Sequence, residues 1–497
     1  MPYFGSLGRG LLLVAGFMLV VGPTARAQDP AQAEILERLR RLEQNQARLE
    51  SEILAKDARI DQLETELQRT EAVIAPVTAE ERPKTNLEAL EIDWDEPGYF
   101  GEFQEGARGF KLADTPRGDV NFSAWSYVRY LNQSGIDGSY TDSFGREFNI
   151  DTRNDVQLNK VNLYFKGWVF DPRFKYLFYT WTSNTSQGES AQVVVAGSMG
   201  YTFSPAFTLS AGIGALPGTR TLRGTFPYWN KVDNRPIADE FFRPSYTTGI
   251  WATGKLREGL HYKLMAGNNL SQLGVSAQEL DDGFQTWSGS LWWMPTTGEY
   301  GPAGGYGDFE YHEDLATVFG INMTYSQEDR QSQPGSEDIQ NTQLRLSDGT
   351  VIFRPDAFDT GGRINEATYF MTSLDAGFKY RGWELAGEYY FRWLDDFETE
   401  GAIPENDLFD HGFQVQASAM VIPKTLQGYL AGSYINGEYG KPWDAALGLN
   451  WYPFKRRLMR LNTELLYLDD SPVGYSSVPF VVGADGLVFH TNLEMYF

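Results

Sequence analysis

Cysteine is absent from the chain, histidine is scarce, and basic residues are outnumbered. Without cysteine there is no disulfide scaffold, no zinc–cysteine site and no thiol nucleophile. The four histidines, His261, His312, His411 and His490, show no metal-ligand spacing and are assigned no role. With 66 acidic against 42 basic residues the net charge is −24, which disfavours nucleic acid as a partner. Beyond its N-terminus the sequence also lacks any apolar run near the ~18 residues that a membrane-crossing helix needs. No G-x-S-x-G elbow or persuasive Ser-His arrangement points to a hydrolase, and no cofactor is implied.

Aromatic residues and glycine are plentiful: 27 Tyr, 32 Phe and 51 Gly in 497 residues. Acidic disordered chains do not have this composition, whereas a sheet protein with aromatic girdles and many turns does. The N-terminus reads as a secretory signal over 1–27. Arg9 supplies the positive start, Leu11–Val21 is apolar or small, and Ala25-Arg26-Ala27 offers a small-x-small cleavage pattern. As a helix Leu11–Val21 reaches only about 16 Å, roughly half a bilayer core. A mature chain in a membrane must therefore cross it as strands.

Residues 31–75 carry a different period. Ile35, Leu39, Leu42, Leu49, Ile53, Ile60, Leu63, Leu67 and Ile74 recur at alternating steps of four and three, interrupted by Gln46, Lys56 and Thr70. The pattern predicts a coiled coil of roughly 60 Å, whose seam one helix cannot bury alone. Self-association follows from it; an amphipathic helix lying on the same protein is the alternative. Pro76 and Pro83 end the helix and open a linker and barrel entry over 76–118.

From Asp119 period-two alternation takes over. Sixteen strands are expected, near 120–131, 156–170, 173–183, 190–203, 207–216, 245–256, 260–269, 284–294, 312–326, 365–380, 382–394, 411–421, 427–437, 443–452, 458–468 and 486–497. Short connections, such as Asp171-Pro172, Ser204-Pro205 and Arg381-Gly382, alternate with long polar ones, such as 132–155, 217–244 and 327–364. That is the habit of an outer-membrane barrel with periplasmic turns and external loops. The segment 295–311 breaks the rule: it should be a short turn and is not, which leaves the count open by two.

The last strand shows the two faces. Leu487, Phe489, Thr491, Leu493, Met495 and Phe497 share one; His490, Asn492, Glu494 and Tyr496 share the other. In the second strand Lys160, Asn162, Tyr164 and Lys166 oppose Val161, Leu163, Phe165 and Val169. Faces so rich in exposed aromatics would aggregate in water, and lipid removes that problem. The fold class expected is all-β: a 16-stranded antiparallel transmembrane β-barrel over 119–497, behind an N-terminal periplasmic α-helical coiled coil. A soluble β-sandwich adhesin is the competing fold.

Three segments carry a resemblance. They are GFKLADTPRGDVNFSAWSYVRYLN (109–132), LNKVNLYFKGWVFDPRFKYLFYTWTSN (158–184), and AGIGALPGTRTLRGTF (211–226) with EFFRPSYTTGIWATGKL (240–256). In them the sequence resembles the phosphate-selective porin O and P family, clearly over Gly109–Asn269 and by architecture beyond. The resemblance implies a 16-stranded outer-membrane barrel, usually trimeric, that passes anions or other small hydrophilic solutes. It also gives the terminal Phe497 the part of a membrane-insertion signal.

The long segment 217–244 is the constriction candidate. It carries Arg220, Arg223, Lys231, Arg235 and Arg243 against Asp233, Asp239 and Glu240. By alternation Arg129, Lys160 and Lys166 also project inward, and together these cations form a candidate anion path. The competing reading is that they pair with the loop acids and with inward glutamates; Glu384, Glu388 and Glu464 also read as inward. Two functions stay open: passive diffusion of small hydrophilic solutes, anions such as phosphate among the candidates, or a structural barrel tethered to the cell envelope through its coiled coil. The expected partners are outer-membrane lipid, the solutes, and further copies in a homotrimer.

Overall fold

The structure, a computed structural model, describes residues 103–104, 109–183, 192–272, 283–330, 344–475 and 477–497. The expected signal segment, the coiled coil and most of the linker lie outside the described residues. The main sheet has 18 strands, of which Phe103–Gln104 and Gly109–Thr115 precede the barrel. The other sixteen are β1 (Gly118–Ile136), β2 (Asn154–Val169), β3 (Asp171–Ser183), β4 (Gln192–Ser204), β5 (Phe207–Ala215), β6 (Tyr246–Arg257), β7 (Leu260–Gly267) and β8 (Thr286–Trp293), followed by β9 (Ala316–Asp329), β10 (Arg363–Tyr380), β11 (Trp383–Glu400), β12 (Leu408–Ile422), β13 (Leu426–Asn436), β14 (Trp443–Trp451), β15 (Met459–Asp469) and β16 (Gly486–Tyr496). Each pairs antiparallel with the next.

The barrel closes where β16 pairs with β1, from Tyr496↔Trp125 to Gly486↔Ile136. Phe497 N–H donates to the Ala124 carbonyl at 2.9 Å. β16 stops there, but β1 starts earlier. Gly109–Thr115 doubles back and pairs with that exposed stretch of β1, Phe110 opposite Phe122. The Phe110 and Phe497 rings meet edge-on at 6.2 Å. An open sheet edge is thereby covered.

Side-chain alternation explains the two surfaces. On β11 Trp383 is 68% exposed, while its neighbour Glu384 is 3% exposed. On β14 Leu447 is 56% exposed and Leu449 50%, while Ala446, Gly448 and Asn450 beside them are buried. Outward positions are apolar and inward ones polar, the reverse of a soluble sheet with an apolar core. Among the described residues no helix is long and apolar enough to cross a membrane.

Connection lengths separate the two ends. At the end carrying Phe497 the links are short: 170, 205–206, 258–259, 381–382 and 423–425. Arg381 and Gly382 both take positive φ, 46° and 85°, the conformation that a two-residue hairpin turn demands. At the opposite end the links include 137–153, 216–245 and 470–485.

The segment that broke the expected alternation does lie at the short-turn end, and the count stays at sixteen. Its length serves an inward fold. Tyr306 N–H donates to the Tyr228 carbonyl at 2.7 Å, Gly307 N–H to Glu384 Oε2 at 2.6 Å, and Lys379 Nζ to the Tyr300 carbonyl at 2.8 Å. Gly377 lacks a side chain because a Cβ there would run into the Tyr300 hydroxyl and Arg220.

The inner face is polar in the middle of the barrel and changes toward one end. On β15 the inward row runs Arg460, Asn462, Glu464 and then turns apolar at Leu466 and Leu468. The switch occurs toward the long-loop end, where loops fold in. One apolar cluster joins Leu466, Leu468, Ile435 and Val488 to Phe241, Phe242, Val478 and Phe480. A second joins Tyr369, Met371 and Leu394 to Leu346, Ile352, Phe353 and Phe358. Inward residues become apolar where protein rather than water faces them.

Candidate functional site

The loop between β5 and β6 crosses the lumen, and its route follows from where its backbone finds partners. Its ends are clasped: Leu216 N–H donates to the Ser245 carbonyl at 3.0 Å, and Ser245 N–H to that of Leu270 at 2.9 Å. Near its start the Gly218 carbonyl accepts from Ser373 Oγ at 3.1 Å. A short 3-10 turn, Arg220–Arg223, follows, and Arg220 N–H donates to Glu388 Oε1 at 3.0 Å. Asn230 Nδ2 reaches Glu384 Oε2 at 3.2 Å. Helix α1 (Ile237–Phe242) then lies against β11–β14: Ala238 N–H donates to Ser433 Oγ at 3.1 Å, and the Phe242 carbonyl accepts from the Tyr369 hydroxyl at 2.6 Å.

The candidate cations fall into two groups. Arg129, Arg220, Arg223 and Lys231 are absorbed into packing. Arg129 Nε donates to Asn492 Oδ1 at 2.9 Å and begins a chain of amides around the inner wall. Asn492 donates to Asn462, and Asn462 to Asn450, each at 2.9 Å, and Asn450 donates to Gln427 at 3.0 Å. The Arg220 guanidinium lies 4.3 Å from the Tyr306 ring centre and 5.1 Å from that of Tyr300. Arg223 pairs with Asp375 at 2.7 Å and Lys231 with Glu464 at 3.0 Å. Nearby Arg460 pairs with Glu494, and Arg392 with Asp410 at 2.5 Å.

Lys160, Lys166, Arg235 and Arg243 instead border a cavity of about 390 Å³ between the loop and the wall of β1–β3. Lys160 Nζ is 2.7 Å from Asp233, which also accepts from the Tyr127 hydroxyl at 2.9 Å. Arg235 Nη1 donates to Glu240 Oε1 at 2.9 Å, and Arg243 holds the other oxygen at 2.6 Å. Burial alone would raise the Glu240 carboxyl, but Arg243 and Arg235 outweigh it and hold it down at about 2. Burial pushes the neighbouring Asp239 carboxyl up.

Nine of the twenty residues lining the cavity are aromatic, which sequence reasoning missed. On the wall stand Trp125, Tyr164, Tyr179 and Trp181; the loop contributes Phe226 and Trp229, and Tyr246, Tyr475 and Tyr496 complete it. The signal was partly present, since Tyr164 sits in the inward row with Lys160 and Lys166. An inward tyrosine reads as polar, however, and only the folded loop places rings opposite it. The tyrosines of the inward turn, Tyr300 and Tyr306, also escaped notice.

Phe497 ends the outward row of β16. Among the described residues no cluster of His, Asp or Glu is suited to hold a metal ion.

No protein-family model matches this chain, and no curated protein matches it. Solved structures do. An anion-selective porin from Comamonas acidovorans is 11% identical, with a TM-score of 0.48 over 76% of this chain and 100% of its own. OmpT of Vibrio cholerae, outer-membrane expressed, is 11% identical, with a TM-score of 0.47 over 78% of this chain and 99% of its own. OprB of Pseudomonas putida is 9% identical, with a TM-score of 0.43 over 77% and 94%.

Proposed function

We propose that this barrel spans a bacterial outer membrane as a porin and lets small hydrophilic solutes diffuse through, with a bias toward anions. One observation carries the reading: the closed sheet is apolar outside and charged inside, which suits lipid around it and a wet interior. In this reading the short-turn end, with Phe497, faces the periplasm. The inward-folded loop narrows the lumen, and solutes pass on the side of β1–β3, where the cavity lies.

The anion bias rests on the lining. Lys160, Lys166, Arg235 and Arg243 border the cavity with Asp233 as the carboxylate among them. Glu240, behind the two arginines, offsets part of that charge, so the preference is modest. Cations along a narrow, low-dielectric path raise the local concentration of anions.

Purified protein in planar bilayers tests this. Stepwise conductance in KCl, with a reversal potential in a salt gradient displaced toward that of chloride, is expected. A barrel that inserts but stays closed would overturn the channel. Cation selectivity would overturn the anion path.

A further inference from the structure

We propose that the cavity between the β1–β3 wall and the lumen-crossing loop is a binding site for single-ring aromatic carboxylates, held in preference to small inorganic anions. The proposal rests on the channel reading and deepens it by naming the solute.

The cavity has aromatic rings on both sides. On the wall Tyr164 and Tyr179 lie side by side, their centroids 5.7 Å apart and their planes at 33°. On the loop Phe226 and Trp229 pack edge-on at 5.3 Å. All four line the same space. A small hydrated anion gains little from such surfaces, because a ring face carries negative quadrupole charge and the ion must shed water to touch it. A flat apolar ring gains from both walls.

The charges decide which ring compounds fit. Lys160 stands on the wall, with its ammonium 5.6 Å from the Trp181 ring centre. Arg235 stands on the loop, its guanidinium 4.3 Å from the Trp229 ring centre and steadied by Glu240. With Nη1 donating to Glu240 and Nε to Thr221, the guanidinium is held in place and turns its remaining N–H groups to a ligand carboxylate. An aromatic amine would meet repulsion instead. A neutral sugar would stack but gain no charge attraction from these cations, whose own partners are Asp233 and Glu240. At about 390 Å³ the space sits at the lower end of the ~300–1,000 Å³ usual for ligand sites, which suits one ring with a short acid group.

The test is block of the chloride current through the full-length protein in planar bilayers by added benzoate. Acetate, inorganic phosphate, cyclohexanecarboxylate and glucose serve as comparators. Benzoate should reach half-block at a concentration about tenfold lower than acetate or phosphate, the size of effect that two stacking contacts supply. Tyr179→Leu and Trp181→Leu should each raise the benzoate concentration needed by roughly two- to tenfold. Trp383→Leu, on the outward face, should not. Acetate, phosphate or glucose blocking as well as benzoate would overturn the site, and equal block by cyclohexanecarboxylate would overturn its preference for aromatic rings. Absence of any chloride steps would count against the channel instead. The site then remains testable by calorimetric titration of the detergent-solubilised barrel with benzoate, where saturable binding that Tyr179→Leu weakens supports it and no binding overturns it.

Discussion

Lys231 Nζ lies 3.0 Å from Glu464 Oε1, with both side chains buried, so the lumen-crossing loop is pinned to β15 on the far wall. Glu464 also accepts from the Tyr429 hydroxyl at 2.6 Å and faces His490 at 3.2 Å. Removing one partner of a buried pair strands the other's charge, at a cost of about 3–5 kcal/mol. Lys231→Met should therefore lower the urea midpoint of the vesicle-refolded protein and make its open current noisier. Adding Glu464→Gln should recover part of the loss. An unchanged midpoint and quiet current would show that the loop is held elsewhere.

Selectivity should follow the cavity rather than the charge count of the loop. Lys160→Glu and Lys166→Glu are expected to move the reversal potential toward cations. Arg220→Gln should leave it nearly in place, because its guanidinium is buried against Tyr300 and Tyr306. Its loss should appear in stability, at about 2 kcal/mol for a desolvated cation–ring contact. A reversal potential that responds to Arg220 and ignores both lysines would place the path on the other side of the loop.

Acid should loosen the loop. The folded-state carboxyl of Glu240 is held at about 2, below its ordinary value of 4.5. A depressed acid contributes stability that is fully present above its unfolded value and lost as pH falls through the folded one. Current noise should stay constant down to about pH 4.5 and grow between there and about pH 2. Glu240→Gln should be noisy already at neutral pH and lose that dependence. A wild-type trace flat to pH 2 would remove Glu240 from this role.

The outward face can be probed at Leu447, in the middle of β14 and 56% exposed. Leu447→Arg should destabilise the vesicle-folded barrel by about 2–4 kcal/mol, the cost of a cation near the bilayer midplane. Folding titrations in urea measure this. No penalty would mean that this wall does not face lipid.

Much of the barrel was legible in the sequence, and the reason is local. Covalent geometry sends successive strand residues to opposite faces, so a wall between lipid and water writes period two into the chain. That period located all sixteen strands, put Glu384 and Lys160 inward, and put Leu487 and Phe497 outward. Turn chemistry is equally local, which is why Arg381-Gly382 was readable as a hairpin.

The site was legible only in part. Counting Arg220, Arg223 and Lys231 as a basic lining treats them as facing water, but Tyr306, Asp375 and Glu464 take them up. Those partners come from a turn and strands far along the chain and meet the loop only when the barrel closes. The same closure gave 295–311 its length and turned Leu466 and Leu468 apolar, since each answers to a segment folded in from elsewhere. The sequence by itself determined a sixteen-stranded wall and its two faces, because alternation is a property of neighbouring residues. Which cations border the open space, and that the space is lined with rings, was decided by the tertiary structure, because pairing across a lumen depends on residues that share no local pattern.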